Sequence, residues 1–287
     1  MDPLYGRPGT PVSRPPLSPP SASRNFRAPC LAGTNGNLRP ETQSVMPSAD
    51  PAVPREGTQR EEQVQRLFSE IAPRYDLLNH VLSMNIDRGW RRKAVDRLGW
   101  DRAPDGTFLD ACAGTFDLAL ELSGRPGFGG RVVASDFAQP MMVHGLPKVR
   151  SAPVLPVCGD TLRLPFADES FDGVTVGFGV RNLADLPKGL AEFHRVLRPG
   201  GRLVVLEFTV PPNPLVRTGY LFYFHRILPL VGRIVSGHPW AYSYLPESVK
   251  EFPGPSELEG LFSRAGFRET GWKLVTFGIA AIHWGTK

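Results

Sequence analysis

The stretch Thr107-Phe-Leu-Asp-Ala-Cys-Ala-Gly-Thr-Phe-Asp-Leu-Ala-Leu120 decides the fold. It opens as a short apolar run that ends in an acid, Asp110. Small residues follow, from Ala111 to Thr115, and then an apolar-periodic segment puts Leu118, Ala119 and Leu122 on one face. That is a strand, a tight turn and a helix start. Small residues let a ligand approach the backbone, and a helix N-terminus offers unbonded N–H groups. Taken alone, the same pattern also fits an ordinary strand-to-helix turn whose small residues serve packing.

The segments that follow choose between these readings. Strands are expected at Thr107–Ala111, Arg131–Asp136, Val154–Cys158, Gly173–Gly177 and Leu203–Phe208, with helices near 116–123, 138–144 and 186–197. Gly145 and Pro147 read as breakers that stop the second helix. After residue 255 come a helix, Ser256–Ala265, and two β-rich runs, Phe267–Val275 and Phe277–Trp284, joined tightly around Thr276 as a hairpin. Strands alternating with helices predict an α/β fold: a doubly wound, mostly parallel seven-stranded sheet with an antiparallel last strand.

Such sheets bind ligands at the carboxyl ends of their strands. Here those ends carry Asp110 with Gly114–Thr115, then Asp136, Asp160 and Gly177. Three acids on neighbouring strand tips suit an amine, a ribose diol and an amino-purine, and they repel phosphates. The glycine fingerprint of a dinucleotide site is absent, and Asp117 stands at the helix start. A nicotinamide dehydrogenase is thereby excluded, and S-adenosylmethionine is the ligand implied.

The flanking regions differ in kind. Residues 1–60 hold 12 of the 30 prolines, and their seven arginines against four acids give +3 of the net +5. They read as a disordered Pro/Ser/Arg-rich tail, either a plain tail, a transit segment, or the product of a start assigned too early, with Met46 as the alternative. The remaining residues carry only +2, which gives no support for a nucleic-acid groove. Cys30, Cys112 and Cys158 are far apart and odd in number, with neither metal nor disulfide spacing, so no metal is expected and a reducing compartment is the default. Residues 61–100 read as a helical cap, with Val64, Leu67, Phe68 and Ile71 at helical spacing and Asp87 as N-cap of a helix over Arg88–Leu98. Tyr75, Asp76 and Asn79 cluster within about one turn and fit either a pocket wall or a solvated face.

Several blocks together resemble class I S-adenosylmethionine-dependent methyltransferases: the 107–120 loop, Gly159-Asp-Thr-Leu-Arg-Leu-Pro-Phe166, and His194-Arg-Val-Leu-Arg-Pro-Gly-Gly-Arg202. From about residue 62 onward the chain is similar to the UbiE/MenG family, the C-methyltransferases of menaquinone and ubiquinone biosynthesis. The blocks carrying this are Phe68-Ser-Glu-Ile-Ala-Pro-Arg-Tyr-Asp-Leu-Leu-Asn79, Trp90-Arg91, Gly177-Phe-Gly-Val-Arg-Asn182, Leu206-Glu-Phe208, Tyr244-Leu-Pro-Glu-Ser248 and Gly278-Ile-Ala-Ala-Ile-His-Trp-Gly-Thr-Lys287. The resemblance implies one methyltransferase domain over 61–287, with an insertion at about 213–250. It implies S-adenosylmethionine as methyl donor and a prenylated quinol as acceptor, most simply demethylmenaquinol.

By matched position, Asp110, Gly114, Thr115, Asp136, Asp160 and Thr161 would contact the cofactor. Arg181 would stabilise the quinolate oxygen, with Asn182, Tyr75 and Asn79 holding the ring; an ion pair from Arg181 to Asp185 is the competing reading. The segment Leu215–Leu245, apolar with interspersed arginines, would cover the prenyl tail or touch the membrane surface transiently, or else serve as ordinary packing. The expected location is cytoplasmic and peripheral at the inner face of the cytoplasmic membrane, with homo-oligomerisation left open. The ubiquinone branch, and a non-catalytic scaffold of a quinone-synthesis complex, are the alternatives. The chain departs from the family at Phe116, where Gly-Thr-Gly-Asp is usual, and at Gly177, often a serine. Phe116 must therefore turn away from the ligand or stack on it.

Overall fold

A computed structural model describes residues 64–66, 68–70, 72, 83, 85–223, 226 and 240–287. The expectations for residues 1–60, Tyr75, Asp76 and Asn79, and for much of the Leu215–Leu245 segment, concern residues outside these. Strands β1 (Thr107–Ala111), β2 (Arg131–Asp136), β3 (Val154–Cys158), β4 (Phe171–Gly177), β5 (Leu197–Phe208), β6 (Arg268–Val275) and β7 (Ala280–Thr286) form one sheet in the order β3-β2-β1-β4-β5-β7-β6. β7 runs antiparallel to both its neighbours, and all other pairings are parallel. The doubly wound, mostly parallel expectation therefore holds, although β7 begins at Ala280 rather than Phe277, after a turn over Thr276–Gly278.

The period-2 alternation of each strand sorts its side chains onto two helical layers. Phe108, Val132, Ala134, Val204 and Leu206 face a core shared with helices α1 (Ile86–Leu98) and α2 (Asp117–Ser123). Leu109, Val133, Leu203 and Val205 face the other core, with α4 (Leu186–Val196) and α7 (Pro255–Arg264). Helix α3 (Gln139–Val149) packs beside β3. The helices α5 (Pro214–Phe222) and α6 (Trp240–Glu251) lie between β5 and α7. The strand order reverses between β1 and β4, which opens a crevice at their carboxyl ends.

Three local expectations change. Helix α3 continues through Gly145 and Pro147 to Val149, because Met141, Met142, Gly145 and Val149 lie buried along one side. Burial of that face outweighs the weak propensity of glycine and the helix hydrogen bond that Pro147 cannot donate. β4 and β5 both start earlier than predicted, with Phe171 paired to Leu197 ahead of a register shift before Gly173. Asp87 sits inside the first turn of α1 rather than capping it: it accepts the Ser83 hydroxyl at 2.6 Å and pairs with Arg91, while Asn85 holds the N-cap position. Asp87 and Arg91 thus form an i,i+4 ion pair within the first turns of α1.

One buried titratable group predicts the acid behaviour of this scaffold. His283 on β7 is 3% exposed, Nε2 donates to the Pro255 carbonyl at 3.2 Å, and Nδ1 is buried without a hydrogen-bond partner among the described residues. Burial pushes the imidazole down to about 4. The unfolded chain then binds the extra proton first, so stability present above the unfolded value near 6.5 is lost as pH falls toward 4, by roughly 3 kcal/mol. In His283→Gln the drop in urea midpoint between about pH 7.5 and pH 5 should shrink relative to the parent; an unchanged drop refutes the assignment.

Candidate active site

The loops at the carboxyl ends of β1 to β4 are tied together by their own acids. Asp136, at the end of β2, accepts the Gly114 N–H at 2.8 Å through one oxygen and the Ala138 N–H at 2.8 Å through the other. It thereby fixes the β1 loop against the start of α3, and burial raises its pKa. Asp110 does the same further in. It accepts the Ala119 N–H at 3.0 Å and the Thr175 hydroxyl at 3.0 Å, joining β1 to α2 and β4, and burial pushes its carboxyl up to about 7. Asp160 caps the turn Thr161–Arg163 by accepting the Leu162 N–H at 2.8 Å. Thr161 meets the Cys112 thiol at 3.4 Å, and burial raises that thiol's pKa.

Around these acids lies a cavity of about 270 Å³. Gly114, Asp136, Asp160, Thr161 and Asn182, all predicted from sequence, line it. So do the apolar Phe137, Ala138, Met141, Leu162 and Leu183, with Gln65 and Phe68 from the N-terminal cap. Gln65 donates to the Phe137 carbonyl at 3.0 Å, which ties this residue to the β2 end. A smaller cavity of about 40 Å³ shares Cys112, Gly114, Gly177 and Phe178 with it and adds Asp110, Thr115, Arg91 and Asp117. Arg91 bridges to Asp117 at 3.1 Å, and Lys148 also pairs with Asp117, so the acid at the α2 start is neutralised by two cations.

Phe116 is where the departure from the expected loop is resolved. Its φ is +72°, a left-handed conformation that glycine adopts freely and phenylalanine does not. The side chain turns away from the cavities and is fully buried in the α1–α2 core. Room for the ring is made by Gly145 of α3: a Cβ there would lie 2.7 Å from Phe116 Cδ2 and 2.9 Å from the Thr115 Cα. The residue that reads as a helix breaker is the one that receives the misplaced aromatic ring.

After β4 the chain turns sharply through Phe178, whose φ is +57°. Gly179 is required here, since a Cβ would lie 2.3 Å from Cys112 Cβ, so the β4 and β1 loops touch backbone to side chain. Arg181 does not pair with Asp185, which caps α4 through the Lys188 N–H. It pairs with Glu207 at the end of β5, Nη1 to Oε1 at 2.9 Å, and also donates to the Phe178 carbonyl. Both side chains are buried, at 7% and 1% exposure. Arg181 thus braces the turn that lines the cavity without lining it itself. Asn182 faces the cavity, with Oδ1 accepting the Tyr244 hydroxyl of α6 at 2.8 Å and Nδ2 reaching the Phe178 carbonyl at 3.4 Å.

Sequence reasoning missed Cys112, Phe137, Met141, Leu162 and Phe178 as cavity walls. Phe137 and Leu162 are chain neighbours of predicted contacts, which was a usable signal. Tyr244 lies 62 positions from Asn182, and no local pattern reports that pairing.

A nucleoside with a diol, a purine and an amino-acid arm matches these walls: buried carboxylate at Asp136, apolar slot beside it, and acids with Arg91 in the adjoining recess. The fold is that of S-adenosylmethionine-dependent methyltransferases. A Thermotoga maritima methyltransferase of that kind, described as a possible histamine N-methyltransferase, superposes with a TM-score of 0.55 at 19% identity, over 78% of this chain and 99% of the other. The likeness shows a class I methyltransferase fold.

The sequence model of the ubiE/COQ5 methyltransferase family matches residues 57–287, and the chain belongs to that family. It is similar to the demethylmenaquinone methyltransferase of Thermus thermophilus, 50% identical over 77% of this chain and 100% of the relative. It is also similar to the ubiquinone/menaquinone biosynthesis C-methyltransferase UbiE of Geobacter sulfurreducens, at 43% over 80% and 90%.

Proposed function

We propose that this protein methylates a ring carbon of a prenylated demethylquinol, with demethylmenaquinol as the acceptor. The observation that carries the reading is the 50% identity to a demethylmenaquinone methyltransferase along that relative's whole length. S-adenosylmethionine supplies an electrophilic methyl group; the acceptor carbon gains it and gives up a proton.

The chain's own residues hold and align the partners. Asp136 takes the ribose hydroxyls, Phe137, Met141 and Leu162 sandwich the purine, and Asp160 with Thr161 meets its edge. Gly114, Thr115, Asp110 and Arg91 receive the methionine arm. Tyr244 fixes the Asn182 amide by donating to Oδ1, which leaves an amide N–H to donate to a quinol oxygen. Tyr75 and Asn79, which lie outside the described residues, are assigned to the ring by the family resemblance alone. Arg181, its charge balanced by Glu207, acts through the turn it braces. The lipid acceptor brings the protein into transient contact with the inner face of the cytoplasmic membrane. Among the described residues no helix is long and apolar enough to cross one.

The test is purified protein with S-adenosylmethionine and either reduced demethylmenaquinone or reduced 2-methoxy-6-polyprenyl-benzoquinone, with products identified by mass. Methylated menaquinol is expected. Turnover of the benzoquinol alone would move the protein to the ubiquinone branch, and turnover of both would make one enzyme for two quinones, the breadth that the Geobacter sulfurreducens relative's description carries. Calorimetric binding of S-adenosylmethionine without turnover of either would leave a scaffold.

A further inference from the structure

We propose that the turn Thr276–Gly278 and the exposed side of α5 form the surface by which this protein docks on an anionic lipid bilayer. The inference rests on the reading of the acceptor as a membrane lipid and adds the place of contact. Thr276, Phe277 and Gly278 take φ values of +46°, +58° and +90°, three left-handed residues in succession, two of them not glycine. Such a turn is strained and persists only where its surroundings over-determine it. They do so here. The Trp90 indole donates to the Thr276 hydroxyl at 2.8 Å, the Thr209 N–H donates to the Ile279 carbonyl at 3.0 Å, and a Cβ on Gly278 would lie 2.6 Å from Pro212. All this ordering leaves Phe277 pointing outward, 79% exposed.

The loop that pins the turn leads straight into α5, whose Leu215 is 83% and Phe222 61% exposed. They are seven residues apart, on one side of the helix. Tyr220, on another side, is buried. Single exposed apolar residues are ordinary, but a strained aromatic tip beside an apolar helix face is not.

Two further observations name the occupant. From Phe208 to Pro246 the chain has no aspartate or glutamate and carries Arg217, Arg226 and Arg233, so an anionic surface is attracted and never repelled along this segment. Arg226 is exposed. The place is also right. Ala280 pairs with Phe208, so the turn before it lies at the carboxyl edge of the sheet, the edge that carries the cavity loops. A quinol leaving the bilayer under this surface meets the cavity side of the molecule. Apolar side chains entering the headgroup region with flanking cations are the pattern of interfacial binding.

The experiment is flotation of the full chain with vesicles of phosphatidylcholine, with and without phosphatidylglycerol, for the parent and for Phe277→Gly/Leu215→Ser. The parent should float with the anionic vesicles and less with the neutral ones, and the double variant should partition about tenfold less. Phe277→Gly alone should unfold no earlier than the parent, because glycine takes the left-handed turn without strain; this separates a lost surface from a lost fold. Methylation of a short-chain, water-soluble demethylquinol should be unchanged in the double variant, while turnover of a long-chain acceptor in anionic vesicles falls. Equal flotation of parent and double variant overturns the surface. So does a shift of the double variant to a smaller species in sedimentation with flotation unchanged, which would make the face a contact between copies. Failure of the parent to methylate even the soluble acceptor strikes the proposed function instead, and leaves the flotation result standing by itself.

Discussion

Glu207→Ala should destabilise the protein by about 3–5 kcal/mol, the cost of stranding a buried charge, and should reduce methyl transfer to near background. Glu207 Oε1 takes both the Arg181 guanidinium and the Phe208 N–H at 2.9 Å, and Oε2 takes the Arg181 N–H at 3.3 Å. Removing the carboxylate takes the Glu207 counter-charge from Arg181, which lies buried 5.7 Å from the centroid of the Phe208 ring. The guanidinium also holds the Phe178 carbonyl, so the turn from Gly177 to Asn182 loosens and Asn182 leaves its place in the cavity wall. Glu207→Gln keeps one acceptor oxygen for the Arg181 guanidinium and the Phe208 N–H but loses the charge and the acceptor for the Arg181 N–H, so it should fall between parent and alanine variant. Chemical denaturation and steady-state kinetics read both effects. Parent-like stability of Glu207→Ala would deny the ion pair its structural role. Parent-like kcat in protein kept folded at low temperature would deny that the brace governs catalysis.

Gly145→Ala is the second large effect. The added methyl meets the Phe116 ring at 2.7 and 2.9 Å and the Thr115 backbone at 2.9 Å, and the backbone cannot yield as a flexible side chain does. Overpacking of this kind costs about 1–3 kcal/mol. Relief by pushing the Gly114–Thr115 loop into the cavity should weaken S-adenosylmethionine by about tenfold, the equivalent of ~1.4 kcal/mol. The partner change, Phe116→Gly, removes left-handed strain of about 1–2 kcal/mol but empties a ring-sized space at about 3–5 kcal/mol, so it too should destabilise. Combined, the two should fall short of their sum by roughly 0.5–3 kcal/mol, the signature of sites in contact. Calorimetry for the cofactor and urea midpoints for stability give both numbers. Strict additivity would break the link between the two residues.

Much of the architecture was legible because it depends on local periodicity. Strands buried on both faces read as short apolar runs such as Val132–Ala134 and Leu203–Leu206, and their alternation sorts onto two cores without knowledge of the partners. Acids placed after those runs had to gather at one edge, since parallel strands all end there. Asp136 and Asp160 were therefore readable as one cavity's residues from position alone. Their hydrogen bonds were not. Asp110 and Asp136 are occupied by backbone N–H groups from other loops, and which N–H meets which carboxylate depends on how the loops stack.

Gly145 and Pro147 were misread for the same reason in reverse. A propensity is an isolated-chain quantity, and α3 survives on burial that only the assembled core supplies. The ion pair of Arg181 shows the limit most plainly. Asp185 is four residues away in sequence and is taken up as a helix cap; Glu207, 26 positions on, is the partner because β4 and β5 are neighbours in the sheet. By itself the sequence determined the fold class, the edge where the acids gather and the family, all of which rest on local patterns. Only the tertiary structure decided that Phe116 is sheltered by Gly145, that Tyr244 aims Asn182, and that Phe277 is held outward. Each of those is a contact between segments brought together by chain reversal, and its energy exists only once both sides are in place.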